Sequence, residues 1–399
     1  MIKILHIIVS LEPGGAEVML FRTLAAMDRT RFENEVISLT EGGALVERLR
    51  AAQFAVRSLR MKRSIPSPLS LVRLVRWIRK SKPDVVHTWM YHANLLGGLA
   101  ARLAGNIPVV WGIHHNSLDS RVNRRRTLWV AWMGARLSNL LPERIVCCSA
   151  SARKVHSAFG YAPDRLEFIP NGFSLDEFKP NPLARSSVRC ELGIPQDAVV
   201  IGLAARYHPL KDIPNFLSAA ARLAASFPRV HYVLCGAGLD TENKELLSAL
   251  ENVGLRDRCH LLGIRHDMER LLASLDIATS SSISEAFPLA VGEAMACGVP
   301  CVVTDAGDSA LLVGDTGRVA RTGDPEALAA AWAELVSSAS ERRRLGIAAR
   351  HRVEKCFNVS SIIRRYHDLY EQVLEAPSGK PSVVTQADER LNITLPQKS

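Results

Sequence analysis

The densest run of residues able to do chemistry is 280–304, reading Ser-Ser-Ser-Ile-Ser-Glu-Ala-Phe-Pro-Leu-Ala-Val-Gly-Glu-Ala-Met-Ala-Cys-Gly-Val-Pro-Cys-Val-Val-Thr. A polar loop leads to Pro288, which suits the first turn of a helix. Gly298 with Pro300 marks the end of that helix, and Val299–Thr304 reads as the next strand. The loop delivers backbone N–H groups at a helix N-terminus, a natural anion site. Glu285 precedes the helix and Glu293 lies inside it, where a carboxylate can accept strong hydrogen bonds from the two hydroxyls of a ribose. Taken singly, these glutamates also read as a capping acid and a solvated helix position.

Three further features could carry charge or protons. Arg206 and Lys211 sit in a loop after the strand Val199–Ala204, and two cations at the C-terminal edge of a parallel sheet suit a diphosphate. Pro13-Gly14-Gly15-Ala16-Glu17 lies between the first strand and first helix, where glycines allow close backbone approach and aim helix amides at a ligand. Cys235-Gly-Ala-Gly238 is a weaker version of the same turn. Trp111-Gly-Ile-His114-His115-Asn116 puts imidazoles, which titrate near neutral pH, at the end of a strand. Each has an ordinary counterpart: surface cations, tight turns, a structural histidine.

Around these residues, short apolar runs alternate with helical patterns throughout, the signature of βαβ units and parallel sheets. Seven runs, from Ile4–Val9 to Leu166–Ile169, precede a polar, proline-bearing stretch ending near Pro195, and six more follow, from Val199–Ala204 to Gly317–Ala320. With 399 residues, more than one hydrophobic core is expected, and the domain boundary falls in that stretch. The divisions are residues 1–178, 179–357, a last helix in 358–375 with Ile362, Ile363, Tyr366, Leu369 and Tyr370 on its apolar face, and a tail, 376–399, expected to be disordered.

The net charge of +10 is concentrated in residues 1–178, with 25 Lys+Arg against 14 Asp+Glu, a balance of +11. That points to anionic partners there. Nucleic acid is disfavoured, since no helix-turn-helix, zinc-finger or RNA-binding signature accompanies the charge. Eight cysteines without a Cys-x-x-Cys pair fit reduced thiols in a cytoplasmic chain better than disulfides or zinc. No apolar run is long enough to span a membrane, and the N-terminal apolar stretch is too short for a signal peptide.

Together, Glu285-x7-Glu293, the Arg206…Lys211 pair, Gly14-Gly15, Ile169-Pro-Asn-Gly172 and Asp305-Ala-Gly307 resemble retaining glycosyltransferase family 4, over roughly residues 2–375. The resemblance implies an α/β fold of GT-B architecture: two facing Rossmann-like domains with parallel sheets and a cleft between them. It implies donor binding chiefly by the second domain. Arg206 and Lys211 would hold the diphosphate, Glu293 the ribose and Glu285 the sugar, while amides around Phe287, Pro288 and Leu289 meet sugar hydroxyls or phosphate. From the first domain, Gly14 and Gly15 would approach the phosphates, and His114 would sit at the reacting centre, with His115 as the alternate. Two departures stand out: Ala205 replaces a usual glycine, and the histidine is doubled.

The expected function is retaining transfer of a sugar from a nucleotide-diphosphate sugar to a saccharide or lipid-linked acceptor in polysaccharide or glycoconjugate synthesis. No cofactor is implied, and the absence of Asp-x-Asp predicts independence of metal. The competing chemistry on the same fold is that of a phosphorylase or an epimerase. A peripheral position on an anionic membrane face is a further expectation. Met61–Lys82 interleaves Lys62, Arg63, Arg73, Arg76, Arg79 and Lys80 with apolar residues and Trp77, and Arg121–Leu141 sets five arginines beside Trp129 and Trp132. The alternative is that these faces simply pack on the sheet.

Overall fold

The computed structural model describes residues 1–61, 68–120 and 123–375. Lys62, Arg63, Arg121 and the tail 376–399 lie outside them. The chain divides into two compact units, Met1–Gly172 with the segment from Val359, and Phe173–Asn358.

In the first unit, β1 (Ile2–Ile8), β2 (Phe32–Ser38), β3 (Ala55–Ser58), β4 (Val85–Trp89), β5 (Val109–Ile113), β6 (Arg144–Cys147) and β7 (Leu166–Phe168) form one parallel sheet in the order β3-β2-β1-β4-β5-β6-β7. In the second, β8 (Val200–Ala204), β9 (His231–Cys235), β10 (Cys259–Leu261), β11 (Ile277–Ser280), β12 (Cys301–Thr304) and β13 (Arg318–Ala320) pair in parallel as β10-β9-β8-β11-β12-β13. Both are Rossmann-like: the strand order reverses between β1 and β4 and again between β8 and β11, the switch points at which open sheets leave a crevice for ligands. β4, β5 and β6 are buried along their whole length, as expected of strands covered by helices on both faces.

Helix Val359–Glu375 returns to the first unit. Its predicted apolar face is wholly buried and packs with Ile4, Phe32, Val85, Val110 and Val146 of the sheet. Each such side chain removed from water contributes about 1.5–3 kcal/mol, enough to hold the helix against the sheet. In the second unit the core gathers Ile201, Phe216, Tyr232, Ile277 and Trp332.

The division falls at Gly172–Phe173 rather than at 178/179. Phe173 is fully buried in the second unit, its N–H donates to the Phe357 carbonyl at 2.8 Å, and its ring stacks on Phe287 at 6.2 Å. Phe178 is likewise buried, its carbonyl accepting from Arg350. Element ends shift for comparable reasons. In sequence the second strand reads as Glu35–Leu39, but β2 begins at Phe32 because Phe32 and Asn34 point inward while Glu33 faces water. β12 begins at Cys301 because Gly298 and Val299 close the preceding helix: their N–H groups donate to Met295 and Ala294 carbonyls at 2.9 and 3.0 Å, and Gly298 takes φ +75°.

Candidate active site

In the second unit the predicted donor residues collect on the two loops that flank the switch point, one after β8 and one after β11. After β8 come Ala205, Arg206 and a 3-10 turn, Pro209–Lys211, which Asp212 closes and at the same time starts helix Ile213–Ser226. After β11 come Ser281 to Pro288 and helix Leu289–Ala296. The loops are laced together: the Ile283 N–H donates to the Leu210 carbonyl at 3.0 Å, and the Ser281 hydroxyl to the Lys211 carbonyl at 2.8 Å. Lys211 Nζ forms an ion pair with Glu285 Oε1, which also accepts from the Ser282 hydroxyl at 2.8 Å. So Lys211 and Glu285, predicted for different parts of a donor, bind each other. Arg206 is exposed and makes no ion pair among the described residues.

His208, which the sequence reading passed over, reports on the field of this loop. Its imidazole is held below its ordinary pKa first by burial and then by the charges of Arg206 and Lys211, while its Nδ1 accepts from the Leu210 N–H at 3.2 Å. Two cations thus act on one short turn. The weak Gly236/Gly238 motif has a structural reason instead. Gly236 has φ +135°, and a Cβ there would stand 1.9 Å from the Ala205 carbonyl oxygen, so this glycine lets β9's loop support the Arg206 segment. The Tyr207 N–H donates to the Ala237 carbonyl at 2.7 Å in the same contact.

Phe287 is buried, stacked with Phe173 and edge-on to Phe357, so its side chain anchors the loop and leaves only backbone to meet a ligand. Pro288 is the N-cap residue of the helix, with φ −75° and an extended ψ of 101°, one place before the first turn expected for it. No side chain caps this end, and Leu289 follows partly exposed. Glu293 is 8% exposed on the same helix, more enclosed than a solvated position would be.

In the first unit, helix Gly15–Ala26 starts after Gly14, whose φ of −156° is extended backbone open to any residue. Its backbone conformation alone therefore does not require glycine. A Cβ there would lie 2.5 Å from Glu17 Oε2: an internal carboxylate folds over the start of this helix.

His114 follows β5 directly. Its ring lies flat against Trp89, centroids 5.0 Å apart and planes 18° apart, and neither ring nitrogen has a hydrogen-bond partner among the described residues. One edge of the residue stays partly exposed, but both nitrogens are shielded from solvent, and this burial pulls its pKa down to about 4. The imidazole is neutral at physiological pH. Beneath it, Trp89 Nε1–H donates to His6 Nδ1 at 3.2 Å, so His6 Nε2–H donates to Asn34 Oδ1 at 3.0 Å. His87 bonds the Tyr370 hydroxyl at 2.7 Å through Nδ1, leaving its Nε2 unpartnered. None of this supporting layer was legible as such, since each of its histidines reads in sequence as one more strand residue. His115 differs from its neighbour: its Nε2–H donates to Asn123 Oδ1 at 2.9 Å.

The model of Glycosyltransferase Family 4 matches residues 13–177, and that of Glycosyl transferases group 1 matches residues 185–352. This chain is a family 4 glycosyltransferase. It is 28% identical over 375 residues to the putative glycosyltransferase EpsF of Bacillus subtilis (strain 168), covering 86% of this chain and 88% of that one. It is 27% identical over 323 residues to the UDP-Gal:alpha-D-GlcNAc-diphosphoundecaprenol alpha-1,3-galactosyltransferase of Escherichia coli, covering 78% and 81%. Among solved structures, Anabaena HepE in complex with UDP and glucose aligns with TM-score 0.83 at 23% identity, covering 93% of this chain and all of that chain. Sucrose-phosphate synthase from Thermosynechococcus elongatus aligns with TM-score 0.80 at 19% identity, covering 94% and all of that chain. The fold of this family 4 glycosyltransferase is accordingly GT-B, with two Rossmann-like domains.

Proposed function

We propose that this glycosyltransferase takes its sugar from a nucleotide-diphosphate sugar bound at the β8/β11 switch point. It then transfers the sugar, with retention and without a metal ion, to a saccharide on a lipid-linked precursor. The observation that carries the reading is the convergence there of Arg206, Lys211 and the uncapped start of helix Leu289–Ala296. Negative charge grows on the leaving diphosphate as the anomeric carbon becomes oxocarbenium-like, and fixed cations and amides stabilise that state more than the ground state. An ammonium has three donors, so Lys211 can serve a phosphate oxygen while Glu285 holds it in place. Glu293 is assigned to the ribose and the amides around Leu289 to sugar or phosphate.

Because Glu285 is engaged by Lys211 and Ser282, it is a poor candidate for a covalent nucleophile. Retention then follows from front-face attack: the acceptor oxygen bonds to the anomeric carbon as the carbon–phosphate-oxygen bond breaks, and the acceptor proton passes to the departing phosphate. His114, neutral and with two unpartnered nitrogens, is suited to a sugar hydroxyl. An unmet buried polar atom costs about 1–3 kcal/mol, a cost that a substrate hydroxyl would offset. His115 has a partner already and is the weaker candidate.

The lipid-linked acceptor rests on two supports. The Escherichia coli relative is named for a diphosphoundecaprenol substrate. In helix Arg125–Leu137, Arg125, Trp129, Trp132 and Arg136 are all exposed at helical spacing, and the Arg136 guanidinium sits 5.2 Å from the Trp132 ring centre. Such a basic, aromatic stripe suits an anionic membrane face. Helix Pro68–Ser81 contributes less, because Leu74 and Ile78 are buried in the core. No helix of the described residues is long and apolar enough to cross a membrane, and seven free, buried cysteines suit a cytoplasmic setting. The test is a nucleotide-sugar screen that follows thermal stabilisation and nucleoside diphosphate release. Stabilisation by at least one donor in the parent and its loss in Arg206→Ala support the reading; a parent indifferent to every donor refutes it.

A further inference from the structure

One cavity among the described residues belongs to neither set of predicted site residues. It lies in the first unit at the C-terminal ends of β2 and β3, has a volume of about 580 Å³, and opens beside Leu11, just past β1. Four arginines line it: Arg50 and Arg60 from loops and helix ends, Arg57 from β3, and Arg73 from helix Pro68–Ser81. Two carry their own counter-charge. Arg50 pairs with Glu47 and Arg60 with Glu41, each at 3.0 Å. Arg57 and Arg73 have no ion pair among the described residues, which leaves the lining with four positive charges against two negative ones.

The wall is also shaped. Arg73 and Trp77 are one turn apart and so share a helix face, setting a guanidinium beside a half-buried indole. Arg60 holds the left-handed conformation, φ +56°, which is costly for a side-chain-bearing residue. It is fixed there by its N–H donating to the Ser58 hydroxyl at 3.1 Å and by the Glu41 pair. Gly43 seals the floor: with φ +111°, its missing Cβ would stand 2.2 Å from the Leu11 backbone.

We propose that this cavity binds a phosphoryl or diphosphoryl group attached to a sugar, with Arg57 and Arg73 on the phosphate and Trp77 against the sugar ring. Planar guanidinium forks match phosphate geometry and an indole face suits the apolar side of a pyranose. The inference deepens the transferase reading, because it gives the acceptor its anionic handle. That handle has two sources, a soluble sugar phosphate or the diphosphate of a lipid-linked sugar.

The experiment uses the full chain saturated with nucleoside diphosphate, so that the β8/β11 site is filled. It is titrated with inorganic diphosphate, with glucose 1-phosphate, and with phosphatidylcholine vesicles carrying a polyprenyl diphosphate sugar. Inorganic diphosphate should bind, and Arg57→Ala/Arg73→Ala should weaken it by roughly tenfold or more, as expected for lost charge-assisted bonds. Binding of glucose 1-phosphate assigns a soluble source, and binding of the vesicles alone assigns the lipid; both support the cavity. Nucleoside diphosphate affinity and the thermal midpoint check that the variant is folded. Equal affinity in the parent and a folded double variant, or no binding to the nucleotide-filled parent, overturns the proposal and leaves the transferase reading standing. Failure of the parent to bind nucleoside diphosphate would strike that reading instead.

Discussion

Acidification from pH 7 to pH 5 should destabilise the first unit strongly, although few carboxylates titrate in that range. His6 and His156 are wholly buried, and each has a fixed neutral tautomer. His156 Nδ1–H donates to the Ala152 carbonyl and its Nε2 accepts from the Tyr91 hydroxyl, both at 2.7 Å. His6 is bracketed by Trp89 and Asn34. Burial pulls both pKa values from 6.5 to about 4. The unfolded chain therefore binds more protons than the folded one between those values, so stability is full above pH 6.5 and is lost as pH falls toward 4. At pH 5 an unfolded histidine is mostly charged and a folded one mostly neutral, which costs about 2 kcal/mol per residue, or about 4 kcal/mol for the pair. That is a large part of a typical domain stability of about 5–15 kcal/mol. The assay is urea unfolding followed by tryptophan fluorescence, which reports chiefly on this unit because five of the six tryptophans, all but Trp332, lie in it. His156→Gln should lower stability at pH 7 yet flatten the pH slope by about one proton. An unfolding midpoint equal at pH 5 and pH 7 would refute the assignment of neutral buried imidazoles.

Three other outcomes follow from the site. Arg206→Ala and Lys211→Ala should each lower turnover about a hundredfold, or about 3 kcal/mol, with less than additive loss in the double variant; full activity after removing both cations would end the diphosphate assignment. Glu293→Gln, which keeps the volume of a nearly buried side chain, should weaken nucleoside diphosphate binding in a folded protein, and unchanged affinity by calorimetry removes the ribose role. Trp129→Ser/Trp132→Ser should reduce co-sedimentation with anionic vesicles at low salt; equal binding by the parent to neutral and anionic vesicles argues for an ordinary exposed helix.

The sheets were legible because parallel strands buried on both faces are short apolar runs, as in Val85–Trp89 and Val109–Ile113. The end of helix Leu289–Ala296 was legible too, since Gly298 and Pro300 leave few other conformations. What escaped depends on partners distant in sequence. Glu33 hid the start of β2, because alternate burial at Phe32 and Asn34 is invisible until a neighbouring strand covers one side. Glu285 and Lys211 are 74 positions apart, so their pairing could not be read from either motif. Gly236 looked like a ligand turn, whereas the structure shows backbone crowding against Ala205. The neutrality of His114 comes from Trp89 and the seal around it, which no local pattern encodes.

Sugar transfer from a nucleotide donor without metal can be followed directly. The most direct measurement supplies a labelled nucleotide sugar in excess chelator, with and without a lipid-linked saccharide, and follows both label and nucleoside diphosphate. Label should move to the lipid-extractable product in step with nucleoside diphosphate, release should depend on the acceptor, and Arg206→Ala should slow both about a hundredfold. Nucleoside diphosphate appearing equally without acceptor, or label that never leaves the donor unless a divalent metal is restored, would contradict metal-free transfer to the acceptor.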